Sequence, residues 1–259
     1  MKKVILKVKE NKEIADSIYK MILSGDTSEI KNPGQFIDLK LPDFYLRRPI
    51  SVSDYDEDKV TIIYKVLGRG TELMTSLPYD YELDVLTGLG NGFDISKSKG
   101  HPLLIGGGVG IPPLYKLAKV LVELDKEVKV ALGFNSFKDS FYIDEFKDLG
   151  CSVLVASLDG SIGINGFVTD AARSLMPSSN IFTCGPMPML RSVYDLSRKE
   201  NIPAEFSFEE RMGCGFGACM GCSVEVNEID KDGSPTGNII SKRICKDGPV
   251  LSKEEIRWE

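Results

Sequence analysis

The sequence predicts a multidomain β plus α/β fold: an antiparallel β-barrel, then a parallel-sheet α/β domain, then a small C-terminal domain. Three observations predict it. Short apolar runs separated by turn signals fill the first hundred residues, strands alternate with helices over the next hundred, and four of the six cysteines lie beyond residue 210. Because 259 residues exceed the common single-domain size, we expect domains at 1–99, 100–205 and 206–259.

Composition and charge exclude several classes of protein. Hydrophobic residues make up 42% of the chain and charged residues 27%, which is typical of a soluble globular protein with a sizeable core. A net charge of -6 without a basic stripe argues against a nucleic-acid partner. Residues 1–8 alternate charged and apolar side chains and do not resemble a signal peptide. No apolar run reaches the ~18 to 20 residues of a membrane span, so we expect a cytoplasmic chain with reduced thiols.

The barrel is predicted from evenly spaced strand-like runs. These are residues 4–8, 13–21, 35–41, 60–66 and 82–86. Turn residues such as Asn32-Pro33-Gly34 separate them, and this spacing favours an antiparallel barrel or sandwich.

Two segments of the predicted barrel contain candidate ligand-binding residues. Residues 46–52 combine Arg48, a rigid proline and Ser51, and a guanidinium fork can bind a pyrophosphate through two hydrogen bonds. Residues 63–74 form a strand followed by glycines and then Thr71, the predicted N-cap of a helix whose first amides can receive a phosphate. A solvated arginine pair and a plain turn with a cap are the alternative interpretations.

Tyr64 lies on the strand that precedes this helix. An aromatic ring there can flank an isoalloxazine ring, although a strand tyrosine is by default a packing residue.

The α/β domain begins with a buried strand at 103–105, a glycine loop at 106–111 and an amphipathic helix. Strand, glycine loop and helix is the arrangement that places a pyrophosphate over a helix N-terminus. The loop departs from Gly-x-Gly-x-x-Gly because Ile111 occupies the place of the third glycine, so the usual dinucleotide motif is not assigned.

Further strands are predicted at 128–133, 151–156 and 181–183, with a helix at 141–149. Cys184 follows one strand and is either a neighbour of a nicotinamide ring or a buried structural thiol. Cys151 is interpreted as a core residue. His101 is the only histidine, which argues against a Ser-His-Asp or histidine-metal enzyme. The candidate nucleotide contacts of this domain are Gly107, Gly108, Gly110, Cys184 and Gly185.

The C-terminal region carries the strongest motif. Cys214, Cys219 and Cys222 follow the spacing Cys-x4-Cys-x2-Cys, and Cys245 lies further on, which is the ligand pattern of a plant-type 2Fe-2S cluster. The intervening glycines, 213, 215, 217 and 221, are expected to supply positive φ angles and close approach of amides to the sulfurs. A four-thiolate zinc site and a disulfide framework are the alternatives, but only one Cys-x2-Cys knuckle is present.

Taken in order, these motifs resemble the ferredoxin reductase superfamily and, more narrowly, the electron-transfer subunits of NAD-dependent (type B) dihydroorotate dehydrogenases. The most specific part of the resemblance is residues 208–219. The resemblance implies that FAD is held by Arg48, Pro49, Ile50, Ser51, Ile63, Tyr64, Lys65, Gly70 and Thr71, and the cluster by Cys214, Cys219, Cys222 and Cys245. The interval from Cys222 to Cys245 is longer than the family's usual spacing, and residues 227–238 are predicted to absorb it as a hairpin turn.

The resemblance implies an oxidoreductase subunit with no catalytic acid or base of its own. Electrons would pass from a partner's FMN, where dihydroorotate is oxidised, through the cluster and FAD to NAD+. The expected partner is an FMN-containing catalytic subunit, assembled as a heterotetramer of two copies of each. The alternatives are the small subunit of another flavin and iron-sulfur reductase, of the ferredoxin:NADP oxidoreductase or sulfide dehydrogenase type, and a zinc-stabilised scaffold protein.

Overall fold

A computed structural model describes residues 1–98 and 100–258 of the chain. Its first part is a closed antiparallel barrel with the strand order β1-β2-β5-β4-β3-β6. The strands are β1 (Lys2–Ala15), β2 (Ile18–Ser24), β3 (Phe36–Lys40), β4 (Arg48–Tyr55), β5 (Lys59–Lys65) and β6 (Glu82–Leu89), and helix α1 (Arg69–Thr75) follows β5.

Alternating apolar residues line the interior of the barrel. In β6, for example, Leu83 and Val85 are buried while Asp84 between them is partly exposed. This period of two places one face of each strand in the core. Leu6, Met21 and Ile62, from three other strands, are fully buried in the same cluster.

Two details of the barrel differ from the sequence prediction. The run 13–21 is not one strand, because a turn at Asp16 and Ser17 separates β1 from β2 and Ser17 takes a φ of 58°. Strand β4, Arg48–Tyr55, was not among the predicted strand-like runs. Its sequence mixes polar and apolar residues without the alternation expected of a barrel strand. The reason is that much of one face of the strand packs on helix α2 rather than facing solvent.

The second part is a seven-stranded sheet with the order β10-β9-β8-β7-β11-β12-β15, and its first six strands run parallel. The elements are β7 (Leu103–Gly107), α2 (Pro112–Glu123), β8 (Lys129–Phe134), α3 (Ile143–Asp148), β9 (Ser152–Ser157), β10 (Ile164–Asn165), α4 (Val168–Ser174), β11 (Ile181–Cys184), α5 (Met187–Lys199) and β12 (Ala204–Ser207). The predicted strand and helix alternation is confirmed.

The C-terminal part contains a two-stranded antiparallel hairpin and a short helix. Its elements are β13 (Ser223–Ile229), β14 (Pro235–Arg243), α6 (Ile244–Asp247) and β15 (Val250–Ser252). The predicted hairpin at 227–238 is confirmed. Strand β15 pairs antiparallel with β12, so the chain returns to the edge of the α/β sheet after the hairpin, and the boundary expected at 205/206 falls inside β12.

Ion pairs hold the α/β domain against the barrel. Asp54 on β4 accepts from Lys119 at 2.7 Å and lies 3.3 Å from Lys116, both on α2. The Lys116 ammonium also lies over the Tyr55 ring, 4.6 Å from its centroid. These contacts fix helix α2 of the α/β domain against strand β4 of the barrel. In the described part of the chain, the helices are too short or too polar to cross a membrane.

Candidate functional site

The structure brings together the two barrel segments, residues 46–52 and 63–74, that the sequence analysis identified as candidate ligand-binding segments. Arg48, at the start of β4, lies directly over Gly70 in the first turn of α1, and a Cβ placed on Gly70 would come within 2.4 Å of Arg48 Nε. Arg48 is also stacked on the Phe44 ring at 4.5 Å. A fixed guanidinium beside the amides of a helix start is a suitable place for a pyrophosphate.

The neighbouring Arg47 has a different role. Its guanidinium donates to Asp84 Oδ1 at 2.7 Å and to the carbonyl oxygens of Asp84 and Asp38. These bonds tie β4 to β6 and β3, which gives Arg47 a structural role. Arg48 donates to the nearby carbonyl oxygens of Leu46 and Arg47 at 2.7 and 3.2 Å, and both arginines line a cavity beside β4.

Thr71 supports the same site in a way that the sequence did not predict. The N-cap of α1 is Gly68, and Thr71 occupies the third helical position. Its hydroxyl oxygen accepts from the backbone N–H groups of Leu67 and Gly68 at 3.0 and 3.3 Å, which fixes the turn before the helix. The N-cap assignment of Thr71 was therefore wrong, although the residue does shape the start of the helix.

Strand β5 contributes residues with different exposures. The Tyr64 ring is buried in the barrel core, stacks on Tyr19 and donates its hydroxyl to Asn11 at 3.0 Å. This placement matches the packing interpretation of Tyr64 and leaves its ring no open face. Ile63 points to the other side, into the core shared with the α/β domain, while Lys65 lines a cavity between the domains.

A cavity of about 510 Å³ separates β4 from the segment that leads into the cysteine loop. It is lined by residues 46–49 on the barrel side, including Arg48 and Pro49, and by residues 209–212 on the other. Ile50 and Ser51 follow on β4 and are partly exposed. The cavity joins the expected flavin residues to the expected cluster loop.

The glycine loop of the α/β domain closes on the second nucleotide segment. A Cβ on Gly110 would lie 2.4 Å from the Cys184 carbonyl oxygen, and Cβ atoms on Gly107 and Gly185 would each lie 2.5 Å from the Met189 side chain. Pro112 and Pro113 begin α2 and have no N–H groups, so the available amides come from the glycine turn itself.

Cys184 ends β11 opposite Ser207 on β12. Burial raises the pKa of the Cys184 thiol to about 12, with the Ser207 side chain opposing that shift and Glu209 adding to it. The thiol is therefore protonated at neutral pH and can act as a neutral neighbour of a ligand but not as a nucleophile.

A second cavity, of about 180 Å³, lies between the glycine loop and the barrel. Gly107, Gly108 and Val109 line it, together with Lys65 of strand β5. It is also lined by Leu158 and Phe167, two residues that the sequence analysis did not single out. The signal for such residues is a large exposed apolar side chain beside a glycine turn. It can be recognised only when the positions of the loops are known.

The four cysteines of the proposed cluster meet as two pairs. Cys214 and Cys219 are within hydrogen-bonding reach of each other on an exposed loop, and the backbone N–H groups of Ala218 and Cys219 point at Cys214 Sγ at 3.2 and 3.4 Å. Burial raises the pKa of Cys214, but amides including those of Cys219 and Phe216 outweigh it and lower the pKa to about 6.

The second pair lies at the base of the hairpin. Cys222 precedes β13 and Cys245 follows β14, and both are almost fully buried, at 2% and 1% exposure. The Cys245 N–H donates to Cys222 Sγ at 3.4 Å. Burial, together with the neighbouring Cys222 thiol, raises the pKa of Cys245 to about 12. Because strand pairing fixes this base, the length of the hairpin beyond it does not affect the pair.

The loop glycines behave in two ways. Gly215 and Gly217 take the expected positive φ angles, 75° and 90°. Gly213 and Gly221 do not, and the expectation of a positive φ was wrong for both. They instead lie close to the Cys219 sulfur, where added Cβ atoms would approach to 3.2 and 3.6 Å.

The two-pair arrangement fits a two-iron cluster, which takes two thiolates on each iron. Among the described residues, no three histidine, cysteine or acidic side chains converge as ligands of a single metal ion.

Asp38 lies where the barrel meets the cluster loop. It is 2% exposed, and a Cβ on Gly215 would lie 2.5 Å from its Oδ2 atom. Its Oδ1 atom has no hydrogen-bond partner among the described residues. Burial raises the pKa of Asp38 to about 6, against the opposing charge of Arg47. An orphaned acceptor at this junction fits a bound group that carries donors, such as a flavin with its ring N–H and ribityl hydroxyls.

Comparison with known proteins agrees with this geometry. Residues 209–257 match the family model described as the iron-sulfur cluster binding domain of dihydroorotate dehydrogenase B. The chain is 39% identical to the dihydroorotate dehydrogenase B (NAD(+)) electron transfer subunit of Fusobacterium nucleatum, with 97% of each chain covered. It is 41% identical to the same subunit of Bacillus pumilus, covering 99% of this chain and 98% of that one.

The chain belongs to the family of dihydroorotate dehydrogenase B electron transfer subunits. As a member, it is an electron-transfer component of an oxidoreductase.

Solved structures show the same architecture. The NADH-dependent reduced ferredoxin-NADP oxidoreductase structure matches with a TM-score of 0.84 at 30% identity, covering 98% of this chain and 90% of that one. The fold alone is shared with a ferredoxin NADP+ reductase from Neisseria gonorrhoeae, at a TM-score of 0.67 and 14% identity, over 77% of this chain and 92% of that one. The predicted ferredoxin-reductase-like fold class is confirmed, and the residues present fit FAD, NAD and a 2Fe-2S cluster.

Proposed function

We propose that the chain carries electrons between a dihydroorotate-oxidising FMN subunit and NAD+, through a 2Fe-2S cluster and FAD. The observation that supports this most is the contact between the cysteine loop and the barrel, where Gly215 packs on Asp38 and a shared cavity reaches Arg48. Two cofactors bound at these places would be close neighbours, as electron transfer requires.

Each residue set has a defined task in this proposal. Arg48 and the amides at the start of α1 hold the FAD pyrophosphate, Pro49, Ile50 and Ser51 line the ring, and Ile63, Tyr64 and Lys65 form the supporting strand. The thiolates of Cys214, Cys219, Cys222 and Cys245 hold the cluster. Bound flavin supplies the exchange between the two-electron chemistry of nicotinamide and the one-electron chemistry of the cluster.

The α/β domain positions the nicotinamide nucleotide. Gly107, Gly108 and Gly110 present backbone amides to the pyrophosphate without side chains in the way. Cys184 and Gly185 form the wall beside the nicotinamide, and the protonated thiol adds bulk without charge. No step requires an acid or base from this chain.

The partner is an FMN-containing catalytic subunit in a heterotetramer of two copies of each, in the cytoplasm. The exposed apolar side chains around the two cofactor sites support this part of the proposal. Tyr45 is fully exposed, and Leu46, Phe216 and Met220 are 44%, 44% and 53% exposed. Exposed apolar side chains beside two cofactor sites are suited to an interface with a protein that exchanges electrons with them. We also propose that domains at 1–99, 100–205 and 206–259 serve FAD, NAD and the cluster, respectively.

The test is co-expression of the chain with candidate FMN-containing catalytic subunits. We expect a complex that contains FAD, FMN, iron and sulfide and that reduces NAD+ when dihydroorotate is added. A colourless, folded chain without flavin would contradict the FAD site. A complex that binds all cofactors but transfers electrons only from another donor would contradict the substrate while leaving the relay in place.

The second candidate is a small subunit of another flavin and iron-sulfur reductase. The observation that favours it is the 0.84 TM-score to a ferredoxin-NADP oxidoreductase structure over nearly the whole chain. Dihydroorotate-dependent NAD+ reduction by the purified complex would decide against it.

A further inference from the structure

We propose that Arg243 holds the two cysteine pairs together as one cage, and that its charge raises the reduction potential of a cluster bound there. Arg243 is a positioning residue in this proposal and not a ligand. The inference rests on the proposed ligand set and adds the side chain that joins the two pairs and adjusts the potential of what they hold.

The backbone of Arg243 is built into the base of the hairpin. Arg243 ends β14, where it pairs with Ser223, the residue after Cys222. It is also the N-cap of α6, whose second residue is Cys245. The N–H group of the next residue, Ile244, donates to the Cys222 carbonyl oxygen at 3.1 Å. Arg243 is therefore fixed between the two buried cysteines.

The side chain of Arg243 reaches the loop of the other pair. Its Nη1 atom donates to the carbonyl oxygen of Gly217 at 3.0 Å. Gly217 lies in the loop between Cys214 and Cys219 and packs on Lys246, since a Cβ on it would come within 2.7 Å of the Lys246 Cδ atom. One guanidinium thus connects the loop of the first cysteine pair to the segment that carries the second.

Asp247 holds the guanidinium in this position. Its Oδ2 atom accepts from the Arg243 Nε atom at 3.0 Å and from the Arg243 backbone N–H at 2.9 Å, and its Oδ1 atom accepts from Nη2 at 3.3 Å. The two side chains are 26% and 30% exposed, so water screens this ion pair only in part. All three guanidinium nitrogens are used, and a lysine could not reproduce that planar arrangement.

The signs of the two charges predict their effects on a cluster. A 2Fe-2S cluster held by four thiolates is negatively charged, and reduction adds a further negative charge. The Arg243 cation therefore favours the reduced form, and the Asp247 carboxylate opposes it. Removal of either charge should shift the potential, in opposite directions. A loosened cage alone would not make the shift depend on the sign of the charge removed.

The test of the charge compares Arg243→Gln with Asp247→Asn in the complex loaded with its cofactors. The asparagine side-chain oxygen can still accept from the Arg243 backbone N–H, which preserves the start of α6. Dye-mediated redox titration, followed by electron paramagnetic resonance, measures the cluster potential. At a fixed potential, the ratio of reduced to oxidised cluster should fall about tenfold in Arg243→Gln and rise about tenfold in Asp247→Asn, or ~59 mV each way for a one-electron couple.

The test of positioning is the rate at which a chelator removes iron from the oxidised complex. Arg243→Lys keeps the charge but cannot donate to Gly217 and Asp247 together, so iron loss should be about threefold faster while the potential changes little. Arg257→Gln is the matched control, because Arg257 pairs at 3.0 Å with Glu225 of β13 rather than with α6 or the cysteine loop. It should leave both measurements unchanged.

The outcomes separate this inference from the ligand set on which it rests. Potentials that shift in the same direction in Arg243→Gln and Asp247→Asn, or iron loss from Arg243→Lys at the rate of the control, would overturn it. If Arg243→Gln assembles no cluster, Asp247→Asn decides: a raised potential supports the inference, and an unchanged or lowered one contradicts it. A wrong ligand set would instead show as full iron content after a cysteine is replaced.

Discussion

The cluster loop and the flavin-binding surface of the barrel are neighbours, but they are built in opposite ways. Three of the four proposed cluster ligands lie within nine consecutive residues, and two of the loop's own amides point at the Cys214 sulfur. The flavin surface joins Arg48 and Gly70, which meet because β4 and β5 pair antiparallel and α1 follows β5 directly. The first site is mainly a single loop, and the second depends on the pairing of two strands and the placement of the helix that follows them.

This difference predicts how each site fails. The cluster site depends on each of its proposed cysteine ligands, so removal of one ligand should release the cluster completely. The FAD site on the barrel is built from several separate elements, so each substitution there should lower the affinity for FAD only in part.

The largest effect is expected from the ligands themselves. Cys222→Ser and Cys219→Ser should both reduce the iron content of the purified complex to near zero, because oxygen replaces a thiolate that holds the cluster. Only the first should also lower the melting temperature of the apoprotein, since Cys222 is buried and Cys219 is exposed. Full iron content in either variant, measured by colorimetric assay, would contradict the ligand assignment.

The next largest effect is expected on FAD binding by the barrel. Arg48→Ala should weaken FAD binding by about ten- to hundredfold, the loss of a charge-assisted contact to the pyrophosphate, and leave the iron content unchanged. Fluorescence titration of the flavin-free chain with FAD measures it. Unaltered affinity would show that Arg48 is only a surface residue stacked on Phe44.

Arg47→Ala is the matched variant with the opposite expected outcome. It should leave FAD affinity nearly intact and lower the free energy of unfolding by about 1–2 kcal/mol, because the partly buried Asp84 and two carbonyl groups lose their donor. Urea denaturation measures the loss. A large loss of FAD affinity at unchanged stability would reverse the roles of the two arginines.

The Arg47 pair also has a pH signature. Burial alone would raise the pKa of Asp84, but the Arg47 and Lys3 side chains outweigh it and hold that pKa below its ordinary value. A lowered folded-state pKa stabilises the protein above the ordinary carboxyl range, and this contribution is lost as the pH falls through the folded-state pKa. Arg47→Ala should therefore lose less stability on acidification than the unmodified chain does.

The smallest effect is expected at the hairpin tip. Replacing residues 229–237 with Asn-Gly shortens the interval from Cys222 to Cys245 and keeps the paired base. Iron content should stay the same, and stability should change by less than about 1 kcal/mol. A loss of iron would show that the tip, and not only the base, shapes the cluster site.

Much of the fold and the cluster site could be predicted from residues close together in the chain. Cysteine spacing, the glycine loop after a buried strand and the strand and helix alternation are local patterns, and the structure agrees with each. The prediction of positive φ failed at Gly213 and Gly221 because their role is proximity to a sulfur from another part of the loop. Strand β4 was missed because contacts with α2 set its burial.

The sequence by itself determined which thiols are available and which glycine-rich loops can approach a phosphate. Only the tertiary structure decided that Arg47 is bound to Asp84 while Arg48 packs over Gly70, and that Asp38 is buried beside the cysteine loop. The physical reason is that spacing along the chain controls contacts within a loop. Contacts between loops depend on barrel closure, strand order and the return of the C-terminal strand to the α/β sheet.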